Sequence, residues 1–275
     1  MLQLGELWYG KIVSKTIALI SDFGHNDAFV GIMKSVMKSI NDDVFFIDLC
    51  HEVAPQNVLS GAYTLGTCAK FLPKNSIVLG VVDPGVGTDR QAIVVDCGDF
   101  MLVGPDNGLF SMAYDVSEPK RAFVLENSDY FSEVISSTFH GRDIFAPTCA
   151  HLAAGVDPSA FGPEKAIADL HRFSEIGPLI KDEGIDCRVI HVDGFGNVST
   201  NLSQETLKSL GREALGVQIH NVFAPFKQTF GDVAYGEPLC YFSSMGFLEL
   251  GIRNGNAGLD YKIKQRDTIR VKTKE

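Results

Sequence analysis

The sequence has 275 residues, 45% hydrophobic and 21% charged, with a net charge of −10 and no basic run. That composition gives one large or two ordinary soluble domains with a real core, and it excludes a nucleic-acid-binding surface, which needs clustered Lys and Arg. No apolar stretch approaches the ~20 residues that span a bilayer, the opening MLQLGELWYGKIVSK lacks the apolar centre of a secretory signal, and six scattered cysteines without a Cys-x-x-Cys pair suit a reduced cytoplasmic protein.

Residues 16–20 (TIALI) read as a first buried strand that runs into Ser21-Asp22-Phe23-Gly24. A helical pattern follows over 28–40, with Asn26 or Asp27 as its N-cap. Residues 44–49 read as a strand, and 58–71 as a helix with Leu59, Ala62, Leu65, Gly66 and Ala69 on one face, stopped by Pro73. The β-branched run 76–82 is a third buried strand. Two short strands, 92–95 and 101–103, flank a Gly98-Asp99 turn as a hairpin, before a loop over 104–108. A strand over 121–125 and a helix over 144–154, starting near Asp143, complete the half. Strands alternating with helices imply a largely parallel sheet covered on both faces, a three-layer α/β domain.

The pattern changes near residue 160, where Phe161-Gly162-Pro163 and Gly177-Pro178 punctuate a polar stretch. Short β-like runs then recur at 185–192, 217–222, 239–242, 247–250 and 268–271, separated by turns at Asp193-Gly194, Gly231-Asp232, Gly236-Glu237-Pro238 and Asn254-Gly255. This reads as a mostly antiparallel β domain, a small barrel or sandwich. The expected division is an N-terminal α/β domain over 1–165 and a C-terminal β-barrel-like domain over 180–275.

Several common motifs are missing. There is no G-x-G-x-x-G after the first strand, no phosphate-binding G-x-x-x-x-G-K-[ST] and no G-x-S-x-G nucleophile elbow. His51-Glu52 has no zinc-spaced histidine after it, and the seven histidines show no metal-ligand spacing.

What is present lies at strand ends. Asp83 follows the third strand directly, and Pro84, Gly85 and Gly87 turn the chain there. Arg90, seven residues on, can return to pair with it; the plain alternative is a turn aspartate beside a surface arginine. Asp22 ends the first strand in the same way. Open α/β sheets bind ligands at the carboxyl ends of their strands, and an ionised Asp there can accept both hydroxyls of a ribose diol. A capping or turn role explains Asp22 equally well on spacing alone. Thr138-Phe139-His140-Gly141-Arg142-Asp143 places imidazole, guanidinium and carboxylate within four residues, and its glycine suggests that something approaches the backbone closely. In the second half, Asp193-Gly194-Phe195-Gly196-Asn197 offers a carboxylate for an ammonium and an amide for a donor–acceptor edge, or is simply a glycine-rich turn. Ser243-Ser244-Met245-Gly246 forms a later loop.

Taken in order, SDFGHNDAFVGIMKSV, VVDPGVGTDR, GPDNGL, TFHGRDIFAP, DGFGNVSTN and SSMGFLELGIRNGNAG resemble the S-adenosylmethionine hydroxide adenosyltransferase family, over about residues 16–258. These enzymes hydrolyse S-adenosylmethionine to adenosine and methionine and are related to fluorinating and chlorinating enzymes. The resemblance implies a homotrimer whose sites lie between the N-terminal domain of one subunit and the C-terminal domain of its neighbour. It implies that Asp22 holds the ribose hydroxyls and that Asp83, Arg90 and His140 handle the attacking water. It likewise implies that Asp193 binds the methionine ammonium, Asn197 the adenine edge and Ser244 the methionine end. No metal or other cofactor, nucleic acid or membrane is implied.

Two departures separate the chain from the halogenating relatives. They carry an aromatic residue where Asp83 stands and Tyr-Ser where His140-Gly141 stands, and Gly141 cannot supply the hydroxyl that helps bind halide. Met245 stands where they use an arginine for the methionine carboxylate. The sulfonium is already a good leaving group, so the missing ingredient is a nucleophile at ribose C5′, and either Asp83 or His140 can take the water's proton. A halogenase-like transferase and a non-catalytic S-adenosylmethionine or adenosine binder are the alternatives; Asp83 and Gly141 argue against the first, and the intact Asp-Arg-His set against the second.

Overall fold

The structure, a computed structural model, describes residues 15–173 and 177–274; most of the segment read for a secretory signal lies outside them. The chain divides into two compact units, the first ending at Arg172 and the second beginning at Phe173.

The first unit is built on a six-stranded sheet. Its strands are β1 (Lys15–Ser21), β2 (Val44–Cys50), β3 (Ser76–Val81), β4 (Ala92–Asp96), β5 (Phe100–Pro105) and β6 (Arg121–Val124), in the order β2-β1-β3-β5-β4-β6. β2, β1, β3 and β5 run parallel, and β4 is antiparallel to both β5 and β6. The hairpin expected around Gly98-Asp99 is the β4–β5 pair.

The sheet's central strands bury both faces, which is why β3 is buried throughout and apolar but for Ser76. Residues of alternate parity face opposite layers. Ile17, Leu19, Ile77 and Leu79 join Val30, Met33 and Met37 of α1 (Phe29–Ile40) and the helix ending this half. Ala18, Ile20, Val78 and Val82 pack with Leu65 and Ala69 of α2 (Val58–Ala69) and with Ala113 and Tyr114 of α3 (Ala113–Val116). Gly66 of α2 is held to glycine by packing, since a Cβ there would sit 2.5 Å from Cβ of Met112. Helices on both faces make the three-layer α/β arrangement.

Two local expectations change. α1 starts from Ala28 with no side-chain cap, so neither Asn26 nor Asp27 caps it. The helix expected from about Asp143 begins as a π-helical turn, Gly141–Phe145, that feeds α4 (Ala146–Ala153). Such turns are rare and often mark functional sites.

The second unit is a nearly closed antiparallel barrel. Its strands are β7 (Leu179–Lys181), β8 (Gly184–Val192), β9 (Val198–Ser203), β10 (Glu213–Ile219), β11 (Val222–Pro225), β12 (Pro238–Phe242), β13 (Phe247–Ile252) and β14 (Thr268–Lys274). The order is β11-β10-β14-β8-β9-β13-β12, with β7 beside β8, and a Phe226–Cys240 bridge brings the ends together. Val189, Val198, Val217, Leu248, Leu250 and Val271 fill the interior. Short helices α5 (Gln204–Ser209) and α6 (Ala257–Asp260) sit in the connections. The run expected as one strand over 217–222 is broken at His220, whose φ of 46° makes the β10–β11 turn.

All six cysteines are unpaired thiols, four of them buried. Burial pushes Cys97, Cys187 and Cys240 up to about 12, so these are inert packing groups. Among the described residues, no helix is long and apolar enough to cross a membrane.

Candidate active site

In the strand order β2-β1-β3, the chain leaves β1 toward one edge of the sheet and leaves β3 toward the other. The carboxyl ends of β1 and β3 therefore flank a topological switch point, where open α/β sheets form their ligand crevice. Ser21 pairs with Val81 in register, so Asp22, one residue beyond, and Asp83, two residues beyond, emerge at the same end of neighbouring strands. Both line one cavity of about 290 Å³, together with His140, Gly141, Phe23 and Phe139.

The loop after β3 is shaped for Asp83. Asn107, from the GPDNGL stretch, donates Nδ2–H to the Val82 carbonyl at 2.8 Å and fixes the strand end. Gly87 takes φ 76° with its α-carbon against the Ser137 carbonyl, too close for any Cβ. Arg90 then folds back. Its Nε donates to both Asp83 oxygens at 3.0 Å and its Nη2 donates to Oδ2 at 2.5 Å. The side chains are only 5% (Asp83) and 10% (Arg90) exposed, and the guanidinium stacks over Phe145 at 5.3 Å. This is a nearly dry, forked ion pair, and the alternative of a surface arginine does not hold.

Arg90 Nη2 also reaches His140 Nδ1 at 2.9 Å. A guanidinium can only donate, so Nδ1 accepts and a neutral ring carries its proton on Nε2. Burial lowers the His140 pKa from 6.5, the Arg90 charge lowers it further, and the carboxylates of Asp83 and Asp143 oppose both. His140 is neutral at pH 7, with Nε2–H as its remaining donor.

Asp22 accepts the Gln56 backbone N–H on Oδ2 at 2.7 Å. Gln56 holds φ 62°, sparsely populated by side-chain-bearing residues, and such strain clusters at functional sites. Phe23, Phe29 and Phe139 form one aromatic group, with centroids 5.2–5.7 Å apart, beside the cavity. The glycine beside His140 has a packing reason: a Cβ on Gly141 would come within 3.1 Å of Met33 Sδ and 3.5 Å of Val81. Arg142 and Asp143 pair with each other, and Asp143 also accepts the Ser136 N–H, so this pair braces the loop.

In the second unit, the β8–β9 turn carries Asp193 and Asn197. Asp193 Oδ1 accepts the N–H groups of Phe195 and Asn197, and its Oδ2 accepts Asn197 Nδ2–H at 3.0 Å. The carboxylate thus shapes the turn, leaving a lone pair on Oδ2 for another donor. Asn197 Oδ1 lies against the backbone of Gly251, and Phe195 at the tip is 82% exposed. Ser244 sits in the β12–β13 turn. In the antiparallel β9–β13 pair, Val198 lies beside Leu250 and Ser203 beside Phe247. Ser244 is therefore at the opposite end of β9 from Asn197, five residue steps or about 17 Å away at ~3.3 Å per residue.

The structure thus groups Asp22, Asp83 and His140 around one cavity with Arg90 bonded to Asp83 and His140, pairs Asp193 with Asn197, and leaves Ser244 apart. Among the described residues, no cluster of three or more His, Cys, Asp or Glu side chains is arranged to hold a metal ion. Gln56 and Asn107 went unmarked as individual residues: Gln56 contributes its backbone, which no side-chain pattern announces, while Asn107 stood inside GPDNGL.

Comparison with known proteins converges on one family. Residues 17–162 match the profile described as SAM hydroxide adenosyltransferase N-terminal domain, and residues 187–270 match its C-terminal domain. A curated (R)-S-adenosyl-L-methionine hydrolase of Thermus thermophilus is 36% identical, covering 94% of this chain and 99% of the relative. Another hydrolase of that name, from Salinispora tropica, is 38% identical, covering 93% and 97%. A fluorinase of Actinopolyspora mzabensis is more distant, at 26% identity over 93% of this chain and 96% of its own. A solved structure of an uncharacterized conserved protein from Thermotoga maritima superposes with a TM-score of 0.85 at 34% identity, covering 93% of this chain and 99% of that one.

Proposed function

The chain belongs to the SAM hydroxide adenosyltransferase family, and from that premise we propose that Asp83, Arg90 and His140 direct one water molecule at ribose C5′ of S-adenosyl-L-methionine. The protein is an enzyme, an S-adenosyl-L-methionine hydrolase forming adenosine and L-methionine. The observation that carries the mechanism is the ion pair of Asp83 and Arg90 with His140 attached, facing the switch-point cavity.

The proton inventory assigns the roles. His140 Nδ1 is taken by Arg90, so the ring donates Nε2–H to the water oxygen and cannot accept from it. Asp83 is the acceptor, with Arg90 fixing both its oxygens in place. A carboxylate is a weak base, of free pKa ~3.9. It suffices because water becomes strongly acidic only as its oxygen bonds to C5′, and the proton moves then. The sulfonium leaves as neutral thioether, so expelling methionine needs no acid. We propose that the reaction uses no metal or other cofactor. General base help supplies ~10²–10⁴ in rate, and positioning in a dry pocket adds to it.

Asp22 accepts the ribose hydroxyls, and Asn197 reads the adenine edge. Asp193 keeps one oxygen lone pair for the substrate ammonium; Ser244, at the far end of β9, is too distant to hold the same methionine end and is assigned no substrate contact. A cavity of about 290 Å³ is at the low end for a ligand pocket, which suits a substrate held partly by another surface. Phe195, exposed beside Asn197, suits the same arrangement. We propose a homotrimer whose sites each take Asp22, Asp83, Arg90 and His140 from one subunit and Asp193 and Asn197 from the next, a heterologous ring contact. Unpaired thiols suit the cytoplasm, which is the proposed location. The hydrolase relatives are named for the (R)-sulfonium form, and we extend that preference to this chain.

The test is incubation with separated (R)- and (S)-sulfonium substrate, with and without excess chloride and after exhaustive chelation, followed by chromatography. Equal adenosine and methionine, faster from the (R) form and indifferent to chloride and chelator, is expected. 5′-Chloro-5′-deoxyadenosine would favour the halogenase reading, and binding without turnover the non-catalytic one.

A further inference from the structure

Beside the water-handling cluster, the same strand ends carry a second chain of polar side chains that the reaction does not use. His51, whose side chain is fully buried, accepts from or donates to a group on each side: Ser21 Oγ lies 2.7 Å from Nδ1 and Asp48 Oδ1 lies 3.0 Å from Nε2. Lys34 Nζ closes the outer end on Asp48 Oδ2 at 2.6 Å. The residue types are those of a nucleophilic triad, yet the geometry is not one. Ser21 is wholly enclosed, and its oxygen receives the Phe23 N–H at 3.4 Å, so no substrate can reach it.

The protons in this chain have one consistent arrangement. Burial raises the Asp48 pKa but the bonds from Lys34 and His51 outweigh it, so Asp48 is ionised and only accepts. His51 Nε2 must then donate to it. Burial also lowers the His51 pKa, so the ring is neutral and its Nδ1 is an acceptor, filled by Ser21 Oγ–H. Donation therefore runs from Ser21, the side chain immediately before Asp22, through His51 to Asp48, where Lys34 donates from the other side. On the other side of Asp22, the His51 carbonyl accepts the Gly24 N–H at 2.7 Å, where Gly24 holds φ 67°. One histidine is thus bonded on both flanks of Asp22, to the Ser21 side chain and to the Gly24 backbone.

We infer that His51 is the positioning residue for the ribose site: through its Nδ1 bond to Ser21 and its carbonyl bond to Gly24 it fixes the direction in which Asp22 presents its carboxylate to the substrate diol. The inference rests on the diol role proposed for Asp22. A carboxylate whose two oxygens must each meet a hydroxyl tolerates little rotation, because hydrogen bonds weaken steeply once misaligned. Gln56 restrains the Asp22 side chain itself, through Oδ2; His51 restrains the backbone that carries it.

Two substitutions separate the two ends of the imidazole. In His51→Asn the side-chain oxygen takes the place of Nδ1, keeping the acceptor for Ser21 and giving up the donor to Asp48. In His51→Gln an amide donor reaches Asp48 while the acceptor for Ser21 is lost. Ser21→Ala removes the same Ser21–His51 bond without touching the ring. Binding of adenosine and of 2′-deoxyadenosine to the full-length proteins, measured by calorimetry, reads the diol contact directly. The unsubstituted protein should favour adenosine at least about tenfold, the size of a hydrogen bond to a charged group. His51→Asn should keep that preference, whereas His51→Gln and Ser21→Ala should bring it close to one. A purely structural role would lower the melting temperature of all three variants while leaving the adenosine preference intact, and that result would overturn the inference. Equal loss of preference in His51→Asn and His51→Gln would also overturn it, since the Ser21 bond would then not be what matters. If the unsubstituted protein itself shows no preference for adenosine, the diol role of Asp22 fails and the inference falls with it.

Discussion

Replacing Asp83 with Asn is the sharpest perturbation of the proposed chemistry, because it changes polarity without changing shape. Asp83 meets Arg90 through both carboxylate oxygens. An asparagine can keep only one of these acceptors. Its NH₂ cannot face the guanidinium, which has only donors to offer, so the amide turns its NH₂ toward the cavity. The group that should accept the water's proton then donates to the water. Losing a general base costs ~10²–10⁴ in turnover, about 2.7–5.4 kcal/mol of barrier at ~1.36 kcal/mol per tenfold. Asp83→Ala is a poorer choice, since stripping a nearly buried arginine of its partner costs about 3–5 kcal/mol of stability and confuses folding with catalysis. Steady-state assay of Asp83→Asn should show kcat reduced by at least about a hundredfold, with KM little changed because Asp83 is not assigned to the ribose, adenine or methionine. Near-normal turnover in a folded Asp83→Asn protein would refute the assignment of Asp83 as proton acceptor.

Two further outcomes follow from the same structure. His51, His140, His151 and His191 all lie below their ordinary value of 6.5, burial being the leading cause in each. The unfolded chain therefore takes up protons near 6.5 that the folded chain refuses, so stability is fully present above that pH and is lost as pH falls through the depressed folded values. Thermal melts from neutral to acid should show a falling midpoint across this window; a flat or rising midpoint would contradict the protonation states used above. For the shared site, Asp83→Asn and Asp193→Ala should each be nearly inactive alone. Co-assembled, they should regain part of the activity, since some neighbouring pairs place both defects in one site and leave another intact. No recovery in verified mixed trimers would confine each site to a single chain.

The α/β half was readable because its signals are redundant. The strand 76–82 is apolar but for Ser76 and is bounded by Pro73 and Pro84, and α1 buries one clear face of Val30, Met33 and Met37. Asp22 and Asp83 could be marked as strand-end carboxylates, but only the order β2-β1-β3 makes them neighbours, and strand order is not written in any local pattern. β9 was hidden inside what read as a turn, because Val198–Ser203 is a polar run. It is buried nonetheless: Ser199 bonds Glu249, Thr200 bonds the Leu248 carbonyl, and Asn201 accepts the Arg188 N–H. Pattern reading assigns such a segment to the surface, since it cannot see partners a barrel supplies from distant strands. The separation of Ser244 from Asp193 was invisible for the same reason, as it depends on the register of β9 against β13. His51 attracted notice only as a failed zinc motif, although its neighbours Ser21 and Asp48 each end or occupy a strand beside it.

The central claim is that a water oxygen held by Asp83 and His140 displaces methionine at ribose C5′. Turnover of S-adenosyl-L-methionine in ¹⁸O-enriched water, read by mass spectrometry of both products, tests it most directly. The account predicts one ¹⁸O atom in adenosine, located at the 5′-hydroxyl, and none in methionine. Adenosine without the label, or label entering methionine instead, would contradict it.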